Sequence, residues 1–264
     1  MDFDELMQQM QPGPDTWTAI IPEDWLQGRS AYGGLQVSLA LKAMRALLPT
    51  EVPLRTLQVT FLAPVPPGPV EITAHVLRAG KSATHVEARL QMAGQTLCLV
   101  IGVFGLSRAS SVNILPVQPA VTVDEKPLQL RYVEGITPVF LQHFDMRWLS
   151  GSRPFQGAST ARAVIEVGLH SAADRKASDL HLTAIADAIP PLALAMLHKP
   201  APASSMTWML ELLSDRYDHQ PLNGWRFDAE VLAAGQGYTS QTVMIWAPDG
   251  SPAALSRQSM VVFA

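Results

Sequence analysis

One aspartate lies close to a proline pair in an otherwise apolar stretch. Asp187 is part of ADAIPPLAL and lies three residues before the first proline of the Pro190-Pro191 pair. Because proline is favoured in the first turn of a helix, this spacing predicts that Asp187 lies near the positive end of a helix, which favours its ionised form. An ionised carboxylate can act as a general base. The same position suits an N-cap, whose side chain only binds backbone amides, and the residues alone leave both interpretations open.

Other common catalytic patterns are missing from the sequence. The seven histidines form neither HxH nor HExxH, so we expect no metal site. The chain has no G-x-S-x-G nucleophile elbow, no P-loop and no G-x-G-x-x-G, and we expect no cofactor. The one cysteine, Cys98, lies inside an apolar run, which indicates a packed thiol instead of a nucleophile.

The composition is that of a globular protein without a nucleic-acid partner. The 264 residues are 48% hydrophobic and 16% charged, with a net charge of −4, so a basic field that would attract nucleic acid is absent. The first ten residues are acidic and lack the apolar core of a signal peptide. No run approaches the roughly 20 apolar residues of a membrane span. We therefore expect a cytoplasmic protein.

Two segments are predicted as helices that are apolar on nearly every face. Residues 33–49 begin with Gly33 and Gly34 and end at Pro49, and residues 182–197 are followed by Pro200. A surface helix keeps a polar stripe, so helices without one must be surrounded by other structure. Two of them in one chain predict two modules, each with a central helix.

Strand-like runs follow each predicted helix. In the third run after the first helix, apolar and polar residues alternate with the period of a half-buried strand. The segment VLRAGKSATHVEARL (76–90) matches VLAAGQGYTSQTVMI (231–245) at an offset of 155, which indicates a duplication. The predicted strands lie in residues 54–63, 70–80, 82–94 and 95–105, and in residues 205–213, 224–235, 239–250 and 253–263.

The order of helix and antiparallel strands, present twice, predicts an α+β fold of two antiparallel sheets, each wrapped round one apolar helix. The proline-rich, weakly periodic residues 107–138 are predicted to be a linker. We therefore divide the chain into an N-terminal module at 1–106 and a C-terminal module at 139–264.

The chain resembles the type II bacterial acyl-CoA thioesterases, whose members are double hot-dog proteins. The resemblance rests on YGGLQVSLALKAM, RTLQVTFLAPVPPGPV and VLRAGKSATHVEARL in the first half, and on ADAIPPLAL, SSMTWMLELL and ALSRQSMVVF in the second. It covers nearly the whole chain. It implies hydrolysis of an acyl-CoA, no cofactor, and a homo-oligomer.

The resemblance also implies a site of an Asp, a Ser or Thr, and a Gln that hold a water against the thioester carbonyl. Asp187 matches the Asp and Gln258 matches the Gln. The hydroxyl is either Ser205 or Thr207, which would face the same side of one strand. The first half has Gln36 and an apolar residue at the matching places, so we expect it to be a structural partner of a catalytic second half.

Three alternatives stay open at this point. A hot-dog enoyl-CoA hydratase would need a motif similar to D-x-N-P-x-H, which is absent. A non-catalytic acyl-CoA or lipid-binding module would not need both Asp187 and Gln258. Hydrolysis of a thioester other than an acyl-CoA would use the same site. Coenzyme A carries phosphates, and candidate contacts for them are Arg78, Lys81, Arg216 and Arg226.

Overall fold

The computed structural model describes residues 1–49, 51–171 and 174–264. Within these residues, the α-helices are α1 (Phe3–Gln9), α2 (Gly33–Arg45) and α3 (Asp179–Ala186). Single turns of 3₁₀ helix lie at Glu23–Trp25, Val139–His143 and Leu192–Met196.

In the first half, two short hairpins precede α2 and four long antiparallel strands follow it. The strands are β1 (Gln11–Pro12), β2 (Trp17–Ile21), β3 (Leu26–Gln27), β4 (Ser30–Ala31), β5 (Leu54–Phe61), β6 (Gly68–Ala79), β7 (Thr84–Met92) and β8 (Gln95–Phe104).

The second half likewise has four long strands after α3, and it has three further strands before that helix. Its strands are β9 (Leu128–Leu130), β10 (Phe144–Gly151), β11 (Arg162–Leu169), β12 (Ala203–Leu212), β13 (Trp225–Gly235), β14 (Tyr238–Trp246) and β15 (Pro252–Val262). The eight strands predicted after the two helices are therefore present, with ends that shift by a few residues.

Thirteen strands form one continuous sheet, and not the two sheets that the sequence predicts. The order is β1-β2-β6-β7-β8-β5-β12-β15-β14-β13-β11-β10-β9, and β3 pairs with β4 separately. The halves are joined because β5 pairs antiparallel with β12, from Thr56 opposite Glu211 to Thr60 opposite Thr207. Edge pairing of this kind satisfies backbone groups that two separate sheets would leave exposed, and a sequence pattern does not reveal it.

Apart from β9, which has no counterpart at the other edge, the order of the strands is symmetric about the β5–β12 junction, as a duplication predicts. In the two matching hairpins the bulges also coincide: one lies between Val76 and Arg78, the other between Val231 and Ala233. These positions differ by the offset of 155 found in the sequence. The two halves therefore share a local irregularity as well as a pattern of strands.

The helices α2 and α3 lie side by side in opposite directions. The start of α2 contacts the end of α3, where the Tyr32 hydroxyl donates to the Ala184 carbonyl at 2.6 Å. The end of α2 contacts the start of α3, where Arg45 forms an ion pair with Asp179. Ten of the thirteen residues of α2 and six of the eight residues of α3 are buried, as their lack of a polar stripe predicts.

The segment between the halves crosses the surface with little regular structure. Residues 107–127, all within the described part of the chain, form neither a helix nor a strand, and only the short β9 adds to the edge of the sheet at β10. Elsewhere in the described ranges, no helix is both long enough and apolar enough to cross a membrane.

Candidate active site

Asp187 lies at the end of a helix, which corrects the position predicted for it. The predicted helix at 182–197 is interrupted: α3 ends at Ala186, Asp187 is its C-cap, and a 3₁₀ turn follows from Leu192. Pro190 and Pro191 explain the break, because proline disfavours helical backbone in the residue before it and removes a helical amide donor. The positive end of α3 is therefore at Ser178, and it does not contact Asp187.

The helix that begins beside Asp187 is α2, from the first half. The amide of Gly34, in the first turn of α2, forms a hydrogen bond to the Asp187 carboxylate. Gly33 approaches so closely that a Cβ atom there would lie 2.6 Å from Asp187 Oδ2. Glycine is required here because any side chain would occupy the space of the carboxylate oxygen.

Gln258 holds the other oxygen of the carboxylate. Its Nε2 donates to Asp187 Oδ1 at 2.5 Å, and its side chain is buried on β15. The sequence offsets of these contacts are 71 residues for Gln258 and 153 for Gly34, so no local pattern shows that the three residues meet. The Gln258 side-chain amide and the Gly34 backbone N–H together orient the carboxylate.

Burial raises the pKa of Asp187 to about 7, and the hydrogen bonds from Gln258 and Gly34 oppose this shift. The two nearby titratable groups do not neutralise the carboxylate: burial also raises the pKa of the Tyr32 phenol and of the Cys98 thiol, and both stay uncharged at neutral pH. A carboxyl group with a pKa near 7 can both accept and return a proton at physiological pH. Burial therefore opposes the ionised form that the predicted helix position favours.

A cavity of about 480 Å³ opens onto Asp187, and both halves of the chain form its wall. Asp187, Ser205 and Gln258 line it together. The first half contributes Gly33, Gln36, the segment 27–31 and the segment 61–64. The first half, which the sequence predicts to be a structural partner, therefore forms part of the cavity wall, and the residues missed by sequence reasoning are those of the two first-half segments. The Gly33-Gly34 pair is the signal that pointed towards them.

The structure separates the two candidate hydroxyls. A bulge between Ser205 and Thr207 adds one residue to β12 relative to β15, so that Ser205 lies opposite Met260 and Thr207 opposite Ser259. Ser205 lines the cavity, whereas Thr207 is exposed outside it. The expectation that the two residues face the same side is wrong because the bulge breaks the alternation of the strand.

The basic residues suggested for coenzyme A phosphates lie outside the cavity wall. Arg216 pairs with Asp218 and Arg226 pairs with Asp228, while Arg78 and Lys81 are exposed near the β6–β7 turn. As for metals, the described residues bring no three His, Cys, Asp or Glu side chains together in a way that would hold an ion.

Solved structures with the same architecture define the fold. A hot-dog fold protein of Alicyclobacillus acidocaldarius superposes with a TM-score of 0.85 at 22% identity, over 99% of this chain and 98% of its own. The tesB protein of Mycobacterium avium subsp. paratuberculosis gives a TM-score of 0.78 at 12% identity, with both chains covered fully. An acyl-CoA thioesterase II of Mycobacterium marinum gives 0.75 at 12% identity, over 98% of this chain and 97% of its own. The protein is thus a hot-dog fold protein.

Family models identify the chain more closely. The model of the acyl-CoA thioesterase N-terminal domain matches residues 21–105, and that of the acyl-CoA thioesterase C-terminal domain matches residues 117–262. No curated protein sequence matches the chain. The chain belongs to the acyl-CoA thioesterase family, and it is a thioester hydrolase that acts on acyl-CoA.

Proposed function

We propose that Asp187 is the general base of acyl-CoA hydrolysis, and that Gln258 and Ser205 hold the attacking water. The observation that carries this proposal is a carboxylate on the cavity wall with a pKa of about 7, bonded to Gln258 and Gly34. No cation among the described residues forms an ion pair with it. Such a group is a stronger base than an ordinary aspartate and is still half ionised near neutral pH.

The reaction balances with one water and one proton carrier. Asp187 accepts a proton from the water while the water oxygen forms a bond to the thioester carbonyl carbon. The C–S bond then breaks, and the same proton passes from Asp187 to the departing sulfur. The products are the free acid and coenzyme A. No covalent acyl-enzyme forms, and a trapped acyl intermediate would contradict this scheme.

The test is release of free thiol from acyl-CoAs of two to eighteen carbons and from phenylacetyl-CoA, by the wild type and by Asp187→Asn. We expect kcat/KM of the variant to fall at least about 100-fold, because proton transfer from a positioned group contributes ~10²–10⁴ in rate. In the wild type, kcat/KM should rise with pH through about 7, as the carboxylate ionises. Equal rates in both proteins would refute the role of Asp187.

A matched control is Asp179→Asn, which removes an aspartate from the opposite end of the same helix pair. Asp179 accepts hydrogen bonds from Arg45, so its loss should lower the free energy of unfolding by about 1–3 kcal/mol and leave kcat of the folded protein unchanged. Asp187→Asn should have the opposite effect on stability. In the wild type, burial raises the folded-state pKa of Asp187, so the stability that the protonated carboxyl group provides at low pH is lost as pH rises through about 7.

The asparagine side chain does not ionise, so the Asp187→Asn variant should not lose stability as the pH rises. We therefore expect Asp187→Asn to be more stable than the wild type by about 1–4 kcal/mol at pH 8, with little difference near pH 4. Denaturant unfolding at the two pH values measures both effects. An inactive Asp187→Asn protein that is also more stable at pH 8 cannot owe its inactivity to unfolding.

Further attributes belong to the same proposal. We propose that residues 1–106 and 139–264 act as two hot-dog modules joined by the linker 107–138, with the symmetric strand order as support.

We also propose that the protein is a homo-oligomer, and light scattering would test this. The support is a set of exposed apolar side chains in and next to the linker: Leu106, Val112, Ile114 and Val117. The lone, buried Cys98 agrees with a cytoplasmic location, which a fluorescent fusion would test.

A further inference from the structure

A short hairpin places an arginine at the rim of the cavity. The strands β3 and β4 pair from Gln27 to Ser30, so the turn between them consists of Gly28 and Arg29 alone. Gly28 has a φ of 65°, and the common two-residue hairpin turns, types I′ and II′, require a positive φ at this first position. Arg29 is exposed on this turn and lines the same cavity as Asp187.

The hairpin is hydrogen-bonded to Val65, which directly follows the cavity-lining segment 61–64. The Val65 amide donates to the Ser30 hydroxyl at 3.0 Å, and the Ala31 amide donates to the Val65 carbonyl at 2.7 Å. The backbone N–H of the next residue, Tyr32, donates to the Trp25 carbonyl at 2.9 Å, and α2 begins directly after Tyr32. The base of the turn is therefore fixed relative to Gly33 and Asp187, although the arginine side chain itself extends towards solvent.

Arg29 is the one cationic side chain among the described residues that line this cavity, and Asp187 is the one anionic side chain there. The two do not form an ion pair, and within the described ranges Arg29 has no hydrogen-bond acceptor or carboxylate partner. Other arginines near the second-half strands are already paired, for example Arg226 with Asp228. An unpaired guanidinium at the mouth of a cavity is suited to an anionic group of the ligand, because it binds phosphate with two parallel hydrogen bonds.

We propose that Arg29 binds a phosphate of the coenzyme A portion of the substrate. The acyl thioester then lies inside the cavity at Asp187, and the phosphates lie at the solvent-exposed rim. This inference rests on the proposed site at Asp187. It assigns the first half a share in substrate recognition, in addition to its contact with the catalytic carboxylate.

The experiment compares thioesters of one acyl group, the one that the wild type hydrolyses fastest, on carriers with different phosphates. The carriers are coenzyme A, dephospho-coenzyme A without the 3′-phosphate, and pantetheine without any phosphate. For Arg29→Ala we expect kcat/KM on the acyl-CoA to fall about 10- to 100-fold, mainly through KM, since a hydrogen bond to a charged group is lost. On acyl-pantetheine the variant should equal the wild type.

Two further variants separate charge from geometry. Arg29→Lys keeps the charge but not the paired donors, and we expect it to recover part of the loss. Arg78→Ala removes an equal charge from an exposed position outside the cavity and should behave as the wild type on all three thioesters. Because an exposed ion pair is screened by salt, KM of the wild type for acyl-CoA should rise with ionic strength, and KM of Arg29→Ala should not.

The rate of Arg29→Ala on acyl-dephospho-CoA shows which phosphate of coenzyme A binds Arg29. If the defect of Arg29→Ala persists on acyl-dephospho-CoA, the diphosphate is the partner; if it disappears, the 3′-phosphate is. An unchanged kcat/KM on acyl-CoA, or an equal fall on acyl-pantetheine, would overturn the proposal. Failure of the Asp187 mechanism gives a different result, because Asp187→Asn would then hydrolyse both acyl-CoA and acyl-pantetheine at the wild-type rate.

Discussion

The two ends of the α2–α3 pair place an aspartate in different surroundings. At one end, Asp187 lies between Gly33 and Gln258, and its hydrogen-bond partners are uncharged. At the other end, Asp179 is bonded to the guanidinium of Arg45. A cavity adjoins each end, of about 480 Å³ beside Asp187 and about 590 Å³ beside Asp179.

A cavity and a carboxylate are present at both ends, so these two features alone do not identify the proposed general base. At Asp179 the carboxylate is already bonded to the guanidinium of Arg45. At Asp187 the neighbours are neutral, and burial therefore raises its pKa to about 7. The antiparallel packing of α2 and α3 forms both ends, and the side chains that surround each aspartate separate the proposed general base from an ion-paired residue.

The largest effect is expected when the close approach at the Asp187 end is blocked. In Gly33→Ala, the new Cβ would lie 2.6 Å from Asp187 Oδ2 and 3.1 Å from the Phe61 ring, so the carboxylate must move. A displacement of about 1 Å in an active site can cost 10²-fold, and we expect kcat/KM to fall at least about 100-fold. Steady-state hydrolysis of the preferred acyl-CoA measures it.

Gly235→Ala is the control for this change, because a Cβ at Gly235 meets nothing within 4 Å. It should leave kcat/KM and the unfolding midpoint unaltered. If Gly33→Ala kept its rate within about three-fold of the wild type, the contact of Gly33 with Asp187 would have no catalytic importance.

A smaller effect is expected when one neutral partner of Asp187 is removed. The Gln258 hydrogen bond lowers the pKa of Asp187, so Gln258→Leu should raise that pKa and shift the pH profile of kcat/KM to higher pH. We expect a loss of about 10-fold at pH 7, with partial recovery at pH 9. Gln258→Glu adds a like charge and should shift the profile further in the same direction. A pH profile of kcat/KM that shifts in neither variant would show that Gln258 does not control the pKa of Asp187.

The sequence predicts the local features of this molecule well. The eight long strands and the burial of α2 and α3 follow from the periodicity and the apolar character of their segments. The single sheet does not follow, because the β5–β12 pairing joins strands about 150 residues apart through backbone groups that every sequence has.

The site is only partly predictable for the same reason. Residue types and the family resemblance select Asp187 and Gln258, which are in contact. The opposing helix end, with Gly33 and Gly34, comes from the other half of the chain, and the antiparallel packing of α2 and α3 brings it there. The pKa near 7 also arises from burial in the complete fold, which the local sequence around Asp187 does not show.

The smallest effect concerns which hydroxyl belongs to the Asp187 end. Ser205 lines the cavity and Thr207 does not, because the bulge in β12 lies between them. A neutral hydrogen bond contributes about 0.5–1.5 kcal/mol, so Ser205→Ala should lower kcat/KM by about 2- to 10-fold, while Thr207→Ala should leave it unchanged. Parallel rate measurements at pH 8 compare the two variants. A loss in Thr207→Ala with none in Ser205→Ala would mean that the bulge is displaced during turnover, and that Thr207 is the hydroxyl that contacts the water.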